Sequence, residues 1–501
     1  MGIIQRQSIK TLIVSLAGVL IAGFSMLFVY KLDESIYGTA QFIYGVAAFL
    51  TPFASLGIAS TTVRFYPSFL EQDYKYLNSM LLYLGIISVG FLIVYFLFQD
   101  YFYELLRITR VDEDGLIKSY TSFIIPLVLV LNLNYVLMAY SSNKLRIVIP
   151  EIINTLSYKI FLPILILLVY FNYLQEDYIA TAILIFFIIV SCCLVFYLYS
   201  IDAIKLRSGL LSLSRKKLSE IARYSGFSGL NTIGGTLAFR VDIIMIGTML
   251  TMEAVGIYSI LMFLTNVIEI PRKSISKIAS PIISKAWTDH NVDEIRSIYK
   301  KSSINSLVAG VGIFLIIWYS LPILDFLSIG EDRFYNGRYV FLFLAIGKMI
   351  DSLMSVNSEI IIHSKYYKVN LYFLLFLGIS NICLNYILIT MYQLLGAAIA
   401  TSISYLLYNV MKFIYIWYRF KLTPFSKNTL ILISISVSIF LLCQMITYYM
   451  DLLIVDLLVL IIICISYSSI VYISKISLDI NQMIQQFVNT GMTYVNKKRL
   501  W

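Results

Sequence analysis

Long apolar runs fill most of the sequence, and short polar segments separate them. Runs such as Thr11 to Tyr30 and Leu452 to Ile473 reach the roughly 20 residues that a helix needs to cross the hydrocarbon core of a bilayer. We therefore predict an all-α integral membrane protein with about fourteen transmembrane spans. The spans begin near Thr11, Thr39, Ser79, Ser119, Ile147, Tyr178, Arg223, Ala254, Ser303, Tyr339, Val369, Gln393, Thr429 and Leu452.

The basic residues between these spans predict how the chain is oriented. If the N-terminus is cytoplasmic, 25 of the 38 Lys and Arg residues fall in inside segments. The outside loops hold six, which are Lys31, Arg107, Arg110, Lys118, Arg333 and Arg338. Because positive residues are retained on the cytoplasmic side, we expect both termini to lie in the cytoplasm. The net charge of +10 then reflects topology, and no nucleic-acid partner is expected.

The composition excludes a soluble fold, because 59% of the residues are hydrophobic and only 13% are charged. The five cysteines lie in apolar runs without CxxC spacing, and the two histidines lack the spacing of a metal site. Neither a GxxxxGK(S/T) phosphate loop nor a GxSxG nucleophile motif is present. We therefore expect a transporter and not an enzyme, with no cofactor and no bound metal.

A basic inside connection divides the predicted spans into six and eight. This connection, Asp202 to Glu220, is the longest on the inside, and a weak internal repeat with an offset of 219 residues agrees with a division there. The recurring pairs are Glu34 with Glu253, Pro52 with Pro271 and, one position out of step, Gly38 with Gly256. Chance similarity between apolar helices is the alternative explanation. The predicted parts are a first lobe at 1–201, a cytoplasmic linker at 202–222, a second lobe at 223–420, two further spans at 421–474 and a cytoplasmic tail at 475–501.

The tail contains an amphipathic pattern. Between residues 480 and 495, apolar side chains recur on one helical face, and a basic cluster follows at 497–499. This pattern predicts a helix that lies on the inner membrane surface. A disordered tail is the alternative.

Two charged residues lie deep in the span that begins at Arg223. Arg240 is about seventeen residues into that span, and Asp242 lies roughly 200° further around the helix. Charges at this depth cost several kcal/mol unless they face a cavity or a partner. One interpretation is two structural interhelical ion pairs. The other is an anion site at Arg240 and a proton or cation site at Asp242.

A second polar set lies in the predicted span from Tyr339 to Ile362. If the span is one helix, its members share one face and should line a wet interior. They are Lys348, Asp351, Ser352, Ser355 and Glu359. Lys348 is then a candidate for binding an anion, and Asp351 and Glu359 are candidates for ion coupling. An internal ion pair between Lys348 and Asp351 is the alternative.

Other cations in or near the spans are weaker candidates for the wall of a cavity. Lys159 lies near the middle of the fifth span, between Glu151 and Pro163. Arg272 lies toward the inner end of the eighth span. The side chains of Arg272, Arg64 and Lys412 could instead extend to the lipid headgroups.

Four stretches of the sequence carry a family resemblance: MGIIQRQSIK at the start, ESIYGTAQFIYGVAAFLTPFASLGIASTTVRFYPSF over the second span, FRVDIIMIG with EAVGIYSILMF, and a later PIIS. They resemble the Wzx-type oligosaccharide flippases of the multidrug/oligosaccharidyl-lipid/polysaccharide (MOP) exporter superfamily. The resemblance implies a MATE-like bundle in which two six-helix lobes surround a cavity that opens alternately to each side. It also implies that the last two spans add an apolar groove for a polyprenyl tail.

The resemblance further implies the substrate and its surroundings. The substrate would be an O-antigen, capsule or exopolysaccharide unit on undecaprenyl pyrophosphate, moved across the bacterial cytoplasmic (inner) membrane. A diphosphate headgroup needs a deep cation, and Arg240 is the best placed for it. The other candidates for the headgroup cavity, taken from their positions in this sequence, are Lys348, Lys159, Arg272 and Arg64. The partners would be membrane lipids and the polysaccharide polymerase machinery.

Two other functions remain open from the sequence. The first is a MATE-type antiporter of cationic drugs, which usually stops at twelve spans. The second is a membrane polymerase or glycosyltransferase, which normally needs a large loop with catalytic residues. The outside loop from Gln99 to Lys118 contains no histidine, but the charged residues Glu331, Asp332 and Arg333 in another outside loop keep this second alternative open.

Overall fold

The computed structural model describes residues 3–107, 116–202, 209–211, 214–327, 337–449, 453–482 and 485. Helices account for most of these residues, and the described part of the chain contains no strand. The first ten helices are α1 (Ile3–Ser25), α2 (Glu34–Ser55), α3 (Ile58–Phe65), α4 (Asp73–Arg107), α5 (Leu116–Asn143), α6 (Val148–Glu151), α7 (Ser157–Tyr170), α8 (Ile179–Ser200), α9 (Arg215–Met249) and α10 (Met252–Ile268). The other seven are α11 (Ile270–Thr288), α12 (Val292–Leu327), α13 (Arg338–Met354), α14 (Asn357–Ile362), α15 (Val369–Phe420), α16 (Lys427–Tyr449) and α17 (Leu453–Ile473).

The helices agree with the predicted spans. Among the described residues, nine helices are long and apolar enough to cross a membrane, and three bent helix pairs raise the number to twelve. α15 is counted as one of the nine helices. Its backbone nevertheless leaves the helical region at Gln393 (φ 52°), where we predicted the twelfth span to begin. Fourteen spans result when α15 is divided at Gln393 and α13 with α14 forms one more span. The predicted all-α membrane fold is therefore confirmed.

Contacts between the helices divide the chain into two compact units. The first unit contains residues 1–260 and 378–397, and the second contains residues 261–377 and 398–501. α9, which we assigned to the second lobe, packs along α2 in the first unit. The division into lobes at residues 201 and 223 stays a prediction.

In the first unit, glycine lets α2 meet α10 backbone to backbone. A β-carbon on Gly38 would overlap the carbonyl oxygen of Met252, and a β-carbon on Gly256 would overlap the carbonyl oxygen of Glu34. The two glycines of the weak internal repeat thus face each other's helices. Because both obstacles are backbone atoms, a larger residue at either position must separate the helices.

The other end of α2 is held against α9. The chain turns there with positive φ at Leu56 (42°) and Gly57 (72°). The Ser225 hydroxyl of α9 donates a hydrogen bond to the carbonyl oxygen of Leu56 at 2.7 Å. A β-carbon on Gly229 would lie 2.7 Å from the carbonyl carbon of Leu56. α2 is therefore fixed at both of its ends.

In the second unit, α12 packs against α11, α13, α16 and α17. Two tyrosines join α12 to the last two helices. Tyr319 of α12 donates to the carbonyl oxygen of Phe440 at 2.7 Å, and Tyr467 of α17 donates to the carbonyl oxygen of Val308 at 2.8 Å. The two spans beyond the twelfth are thus an integral part of this unit.

The predicted span over residues 339–362 is not a continuous helix. α13 and α14 are separated by a break at Ser355, whose φ is 41°. The Ser303 hydroxyl donates to the carbonyl oxygen of Leu353 at 2.6 Å, which satisfies one of the groups that the break exposes. The prediction that Glu359 shares one helical face with residues 348–355 was therefore wrong.

Several predicted features lie wholly or partly outside the described residues. The structure describes helix only at 478–482 and 485 in the tail, so the amphipathic helix over 480–495 stays a prediction. The same holds for residues 203–208 and 212–213 of the basic linker and for the charged outside loop at 331–333. Residues 215–222, which we assigned to the linker, form the start of α9.

Candidate functional site

Arg240 lies where α9 is bent. The segments Arg215–Leu237 and Arg240–Met249 meet at 51°. The guanidinium carbon of Arg240 lies 5.7 Å from the centroid of the Tyr44 ring, and the side chain is partly buried. Within the part of the chain that the structure describes, no carboxylate lies in ion-pairing distance of Arg240. The structural ion pair that the sequence left open for this residue is not formed with any of the described residues.

Tyrosines from three helices lie in the neighbourhood of this cation, with Tyr44 next to it. The rings of Tyr44 (α2) and Tyr158 (α7) are stacked with centroids 4.9 Å apart. Tyr135 (α5) interacts with the hydroxyl of Tyr44, and Tyr135 and Tyr158 both lie within electrostatic range of Arg240. We call the set of Arg240, Tyr44, Tyr135 and Tyr158 the Arg240 site.

Helix geometry explains how these side chains come together. On α2, Tyr37, Gln41 and Tyr44 follow one another at intervals of four and three residues, which places them on one face. The chain forms two π-helical segments, Met26–Tyr30 after α1 and Ile152–Leu156 before α7, which shift the register of the residues that follow. Sequence reasoning missed the three tyrosines of the site. The spacing of Tyr37, Gln41 and Tyr44 on α2 was a signal for Tyr44 only.

Lys159 is next to Tyr158 in the chain but points toward α1. Its ammonium lies 2.9 Å from the position that a β-carbon on Gly18 would occupy, so the absence of a side chain at Gly18 makes room for it. The side chain is partly buried. Lys159 is therefore a partly buried cation of the first unit, and its place in the wall of a cavity stays a prediction.

Asp242 is buried two residues beyond Arg240 and makes a separate polar site. Its carboxylate accepts a hydrogen bond from the Tyr258 hydroxyl at 2.8 Å and one from the Asn381 side-chain amide at 3.0 Å. Asn385 donates to Asn381 in turn. Neutral donors from α10 and α15 thus hold this carboxylate in the first unit.

The structure does not bring Arg64 to the Arg240 site. Arg64 is exposed at the end of α3, with its guanidinium carbon 4.4 Å from the centroid of the Tyr224 ring. Tyr224 precedes Arg240 by sixteen residues, which is about 24 Å along a helix.

In the second unit, two other predicted cations form a dense ion-pair cluster. The Glu269 carboxylate accepts from Arg272 at 2.5 Å, from Lys348 at 3.0 Å and from Lys273 at 3.2 Å. Asp351 lies 2.9 Å from the Nε of Arg272. We call these five residues the Glu269 cluster. Its buried cations are matched by carboxylates of the same unit, although Arg272 and Lys348 were predicted to bind substrate.

A hydrogen-bonded extension of the cluster contains Lys412. The Asn409 amide donates to Asp351 at 3.2 Å. Three residues on, Lys412 is completely buried and donates to the hydroxyls of Tyr408 and Ser358, the latter at 2.6 Å. The expectation that Lys412 extends to the headgroups was wrong, because polar groups of α14 and α15 hold its ammonium inside the unit.

Glu359, the remaining predicted ion-coupling residue, lies on α14. One of its carboxylate oxygens accepts a hydrogen bond from the Ser276 hydroxyl of α11. The other is buried and has no hydrogen-bond partner among the described residues. No group of three His, Cys, Asp or Glu side chains in the described part of the chain is arranged to hold a metal ion.

Comparison with known proteins shows which families the chain matches. Residues 7–287 match the family model described as polysaccharide biosynthesis protein, and residues 228–387 match the MatE model. Over 208 residues, the chain is 24% identical to the probable low-salt glycan biosynthesis flippase Agl15 of Haloferax volcanii. That match covers 41% of this chain and 44% of the relative, so it spans less than half of the relative's length.

Two solved structures share the fold. The lipid II flippase MurJ in an inward closed conformation matches with a TM-score of 0.67 and 16% identity, over 94% of this chain and 99% of that chain. An inward-facing multidrug resistance MATE family transporter of the MOP superfamily matches with a TM-score of 0.64 and 15% identity, over 81% and 94%. The MATE-like fold and the resemblance seen in the sequence are thereby confirmed, and the chain belongs to the polysaccharide biosynthesis protein family of the MOP superfamily.

Proposed function

We propose that this protein is a flippase that moves an oligosaccharide on undecaprenyl pyrophosphate across a bacterial cytoplasmic membrane by alternating access. The observation that carries the proposal is Arg240, a cation inside a membrane helix that lies beside the phenol ring of Tyr44. With no carboxylate beside it in the described residues, Arg240 has its charge available for an anion. A guanidinium also matches the geometry of phosphate oxygens, because its N–H groups form a planar fork.

The comparisons support glycan export as the process. The matching family is described as polysaccharide biosynthesis protein, and the name of the archaeal relative is that of a glycan biosynthesis flippase. The proposed protein would take its substrate at the inner membrane face, with both termini in the cytoplasm, and deliver it outside to the polymerase machinery.

An apolar cavity in the second unit supports a polyprenyl carrier. The cavity has a volume of about 350 Å³, and its walls are side chains of α12, α13 and α16, including Phe314, Ile346 and Val437. Ser436 is a polar exception in the lining. A volume in this range is typical of ligand pockets. We propose that it takes a segment of the lipid tail, since α16 is the first of the two extra spans.

Asp242 is the best candidate for ion coupling. It is buried and held by the neutral groups of Tyr258 and Asn381, so protonation or binding of a small cation changes the charge at this point of α9. Because Asp242 lies two residues from Arg240, such a change is transmitted directly to the bend that carries the headgroup site. Asp351 is a weaker candidate because Arg272 lies against it, and Glu359 remains a candidate through its free oxygen.

The sign of the charge at the Arg240 site distinguishes this proposal from an antiporter of cationic drugs. A cationic substrate that stacks on Tyr44 and Tyr158 would meet the positive charge of Arg240 at short range. An anionic headgroup would be stabilised by the same charge. The geometry therefore favours the flippase over the antiporter.

The proposal is tested in cells of the source organism that lack this protein. We expect the lipid-linked glycan to accumulate inside these cells, and the wild-type protein to restore its export. Arg240→Ala should fail to restore export at equal protein level. Arg296→Ala, which removes an exposed ion pair with Asp293, should restore it and serves as the matched control. Full restoration by Arg240→Ala would contradict the role of Arg240, and changed drug resistance without glycan accumulation would favour the antiporter.

A further inference from the structure

Two side-chain pairs join the short helix α14 to α11 in the second unit. The Ser276 hydroxyl donates to a carboxylate oxygen of Glu359. The Ser280 hydroxyl and Nε2 of His363 share a hydrogen bond of 2.7 Å. The serines are four residues apart on α11, and their partners are four residues apart on α14, so the pairs follow each other after one helical turn. We call these four residues the α11–α14 clasp.

The position of α14 depends on contacts of this kind. The helix has only six residues, and it follows the break at Ser355, where φ is 41°. Short helices owe most of their stability to tertiary packing. The Trp287 indole of α11 adds one further contact, since its N–H donates to the carbonyl oxygen of Ile360 at 3.1 Å. A change in the clasp therefore acts directly on how firmly α14 is held against α11.

Both side chains that α14 contributes to the clasp can change their charge. The backbone N–H of His363 donates to the carbonyl oxygen of Glu359 at 3.0 Å, so the two side chains leave the helix one turn apart on the same face. The second carboxylate oxygen of Glu359 is buried and makes no hydrogen bond to a described residue. A neutral histidine has one N–H donor, and a protonated histidine has two. Protonation of His363 therefore adds a positive charge and a second donor one turn away from this carboxylate oxygen.

The charges of the neighbouring elements leave Glu359 as the natural partner of a protonated His363. Arg272 of α11 and Lys412 of α15 lie within electrostatic range of Glu359 and oppose protonation of the histidine. Asp351 of α13 is already paired with Arg272 at 2.9 Å. Glu359 is thus the only carboxylate in the sequence of α11, α14, α15 and the turn 363–368. The other charged residues of these four segments are Lys273, Lys277, Lys285, Lys365, Lys368 and Arg419.

We propose that the α11–α14 clasp is a pH-sensitive switch, in which a proton bound by His363 creates an ion pair with Glu359 and holds α14 against α11. Loss of the proton removes the ion pair and leaves only the two serine hydrogen bonds, so α14 is held less firmly as the pH rises. Under the predicted topology, the turn 363–368 is an inside connection, and the proton comes from the cytoplasm. This inference concerns the helices and not the substrate, so it goes beyond the proposed function.

The test is hydrogen exchange at the backbone amides of residues 357–363 in the purified full-length protein. His363→Gln is compared with the wild type at each pH, which cancels the intrinsic pH dependence of exchange. Glutamine can keep the hydrogen bond with Ser280 but cannot take up a proton. At about pH 5.5 we expect exchange to be about twofold faster in the variant, because the ion pair is lost. At about pH 8, where the histidine of the wild type is neutral, the two should exchange equally fast.

Further variants separate the switch from a purely structural role. Glu359→Gln should show the same pattern, and the double variant should exchange no faster than either single one, since both substitutions remove the same ion pair. His290→Gln replaces the other histidine of the chain, which is exposed just after α11, and should match the wild type throughout. An exchange ratio for His363→Gln that is the same at both pH values would show that the switch is wrong. If His363→Gln does not fold, the pH dependence of Glu359→Gln decides by the same criterion.

Discussion

The two units each contain membrane-embedded charges, but they balance these charges differently. In the first unit, Arg240 lies over the phenol ring of Tyr44, which stacks on Tyr158, and no carboxylate lies beside Arg240 in the described residues. In the second unit, Glu269 joins cations at 2.5 to 3.2 Å. Burying an uncompensated charge costs free energy, whereas the opposite charges within a cluster compensate one another. On this difference we propose a ligand site in the first unit and a structural role for the Glu269 cluster in the second.

The ion-pair partners separate the cations that the sequence proposed together as substrate-binding residues. Charge and depth alone ranked Lys348 and Arg272 beside Arg240, because each is a cation in or near a span. The structure shows that their partners belong to the same unit. Substitution should therefore affect folding in the Glu269 cluster and transport in the Arg240 site.

The largest expected effect is on stability, in Glu269→Gln. The neutral side chain leaves Lys348 and Arg272 with one carboxylate fewer, and breaking a buried pair typically costs about 3–5 kcal/mol. We expect a lowered unfolding temperature in detergent and reduced membrane levels. The additional substitution Lys348→Met should restore part of the lost stability. Normal stability with lost transport would instead place Glu269 in the transport site.

The next effect concerns the backbone contact between α2 and α10. Gly38→Ala should cost about 1–3 kcal/mol of stability, because the new methyl group meets the carbonyl of Met252 and the helices must separate. Thermal unfolding of the purified protein measures this loss. Gly85→Ala is the matched control, since a β-carbon at Gly85 meets nothing within 4 Å in the described structure. An equal response of both variants would show that the close contact is unimportant.

A smaller effect on stability is expected from Asp242→Asn. The amide oxygen can still accept the hydrogen bond from Tyr258, so the loss should be about 1 kcal/mol. Transport in proteoliposomes should lose its dependence on an imposed sodium or proton gradient. The surface variant Asp293→Asn should leave that dependence intact. A retained gradient dependence in Asp242→Asn would transfer the coupling role to Glu359.

Much of the fold could be predicted because the membrane restricts the possible structures. The lengths of the apolar runs located the spans. Gln393 was predicted as the start of a span, and the helical backbone is broken at that residue. The break at Ser355 could not be foreseen, because no glycine or proline marks it and Ser303 of another helix stabilises it. Sequence also gave no means of knowing that α9 packs along α2, since that contact depends on tertiary structure.

The site was predictable only in part, for a related reason. A deep charge such as Arg240 is conspicuous in an apolar run, because it must find a partner. Tyr44 and Tyr158 are not conspicuous, because we counted tyrosine as apolar in the hydrophobic pattern. The role of a tyrosine hydroxyl can be judged only once its neighbours are known. Lys412 shows the converse, since a cation that could extend to the headgroups is held inside by Ser358 and Tyr408.

The central claim is that Arg240 binds the anionic headgroup while it crosses the membrane. The most direct measurement is translocation of a fluorescent short-chain prenyl diphosphate sugar into proteoliposomes, with wild-type protein, Arg240→Lys and Arg240→Gln at equal reconstituted amounts. Loss of two charge-assisted hydrogen bonds predicts that Arg240→Gln is slower by about 100-fold or more, with Arg240→Lys in between. Translocation by Arg240→Gln at the wild-type rate would contradict the account.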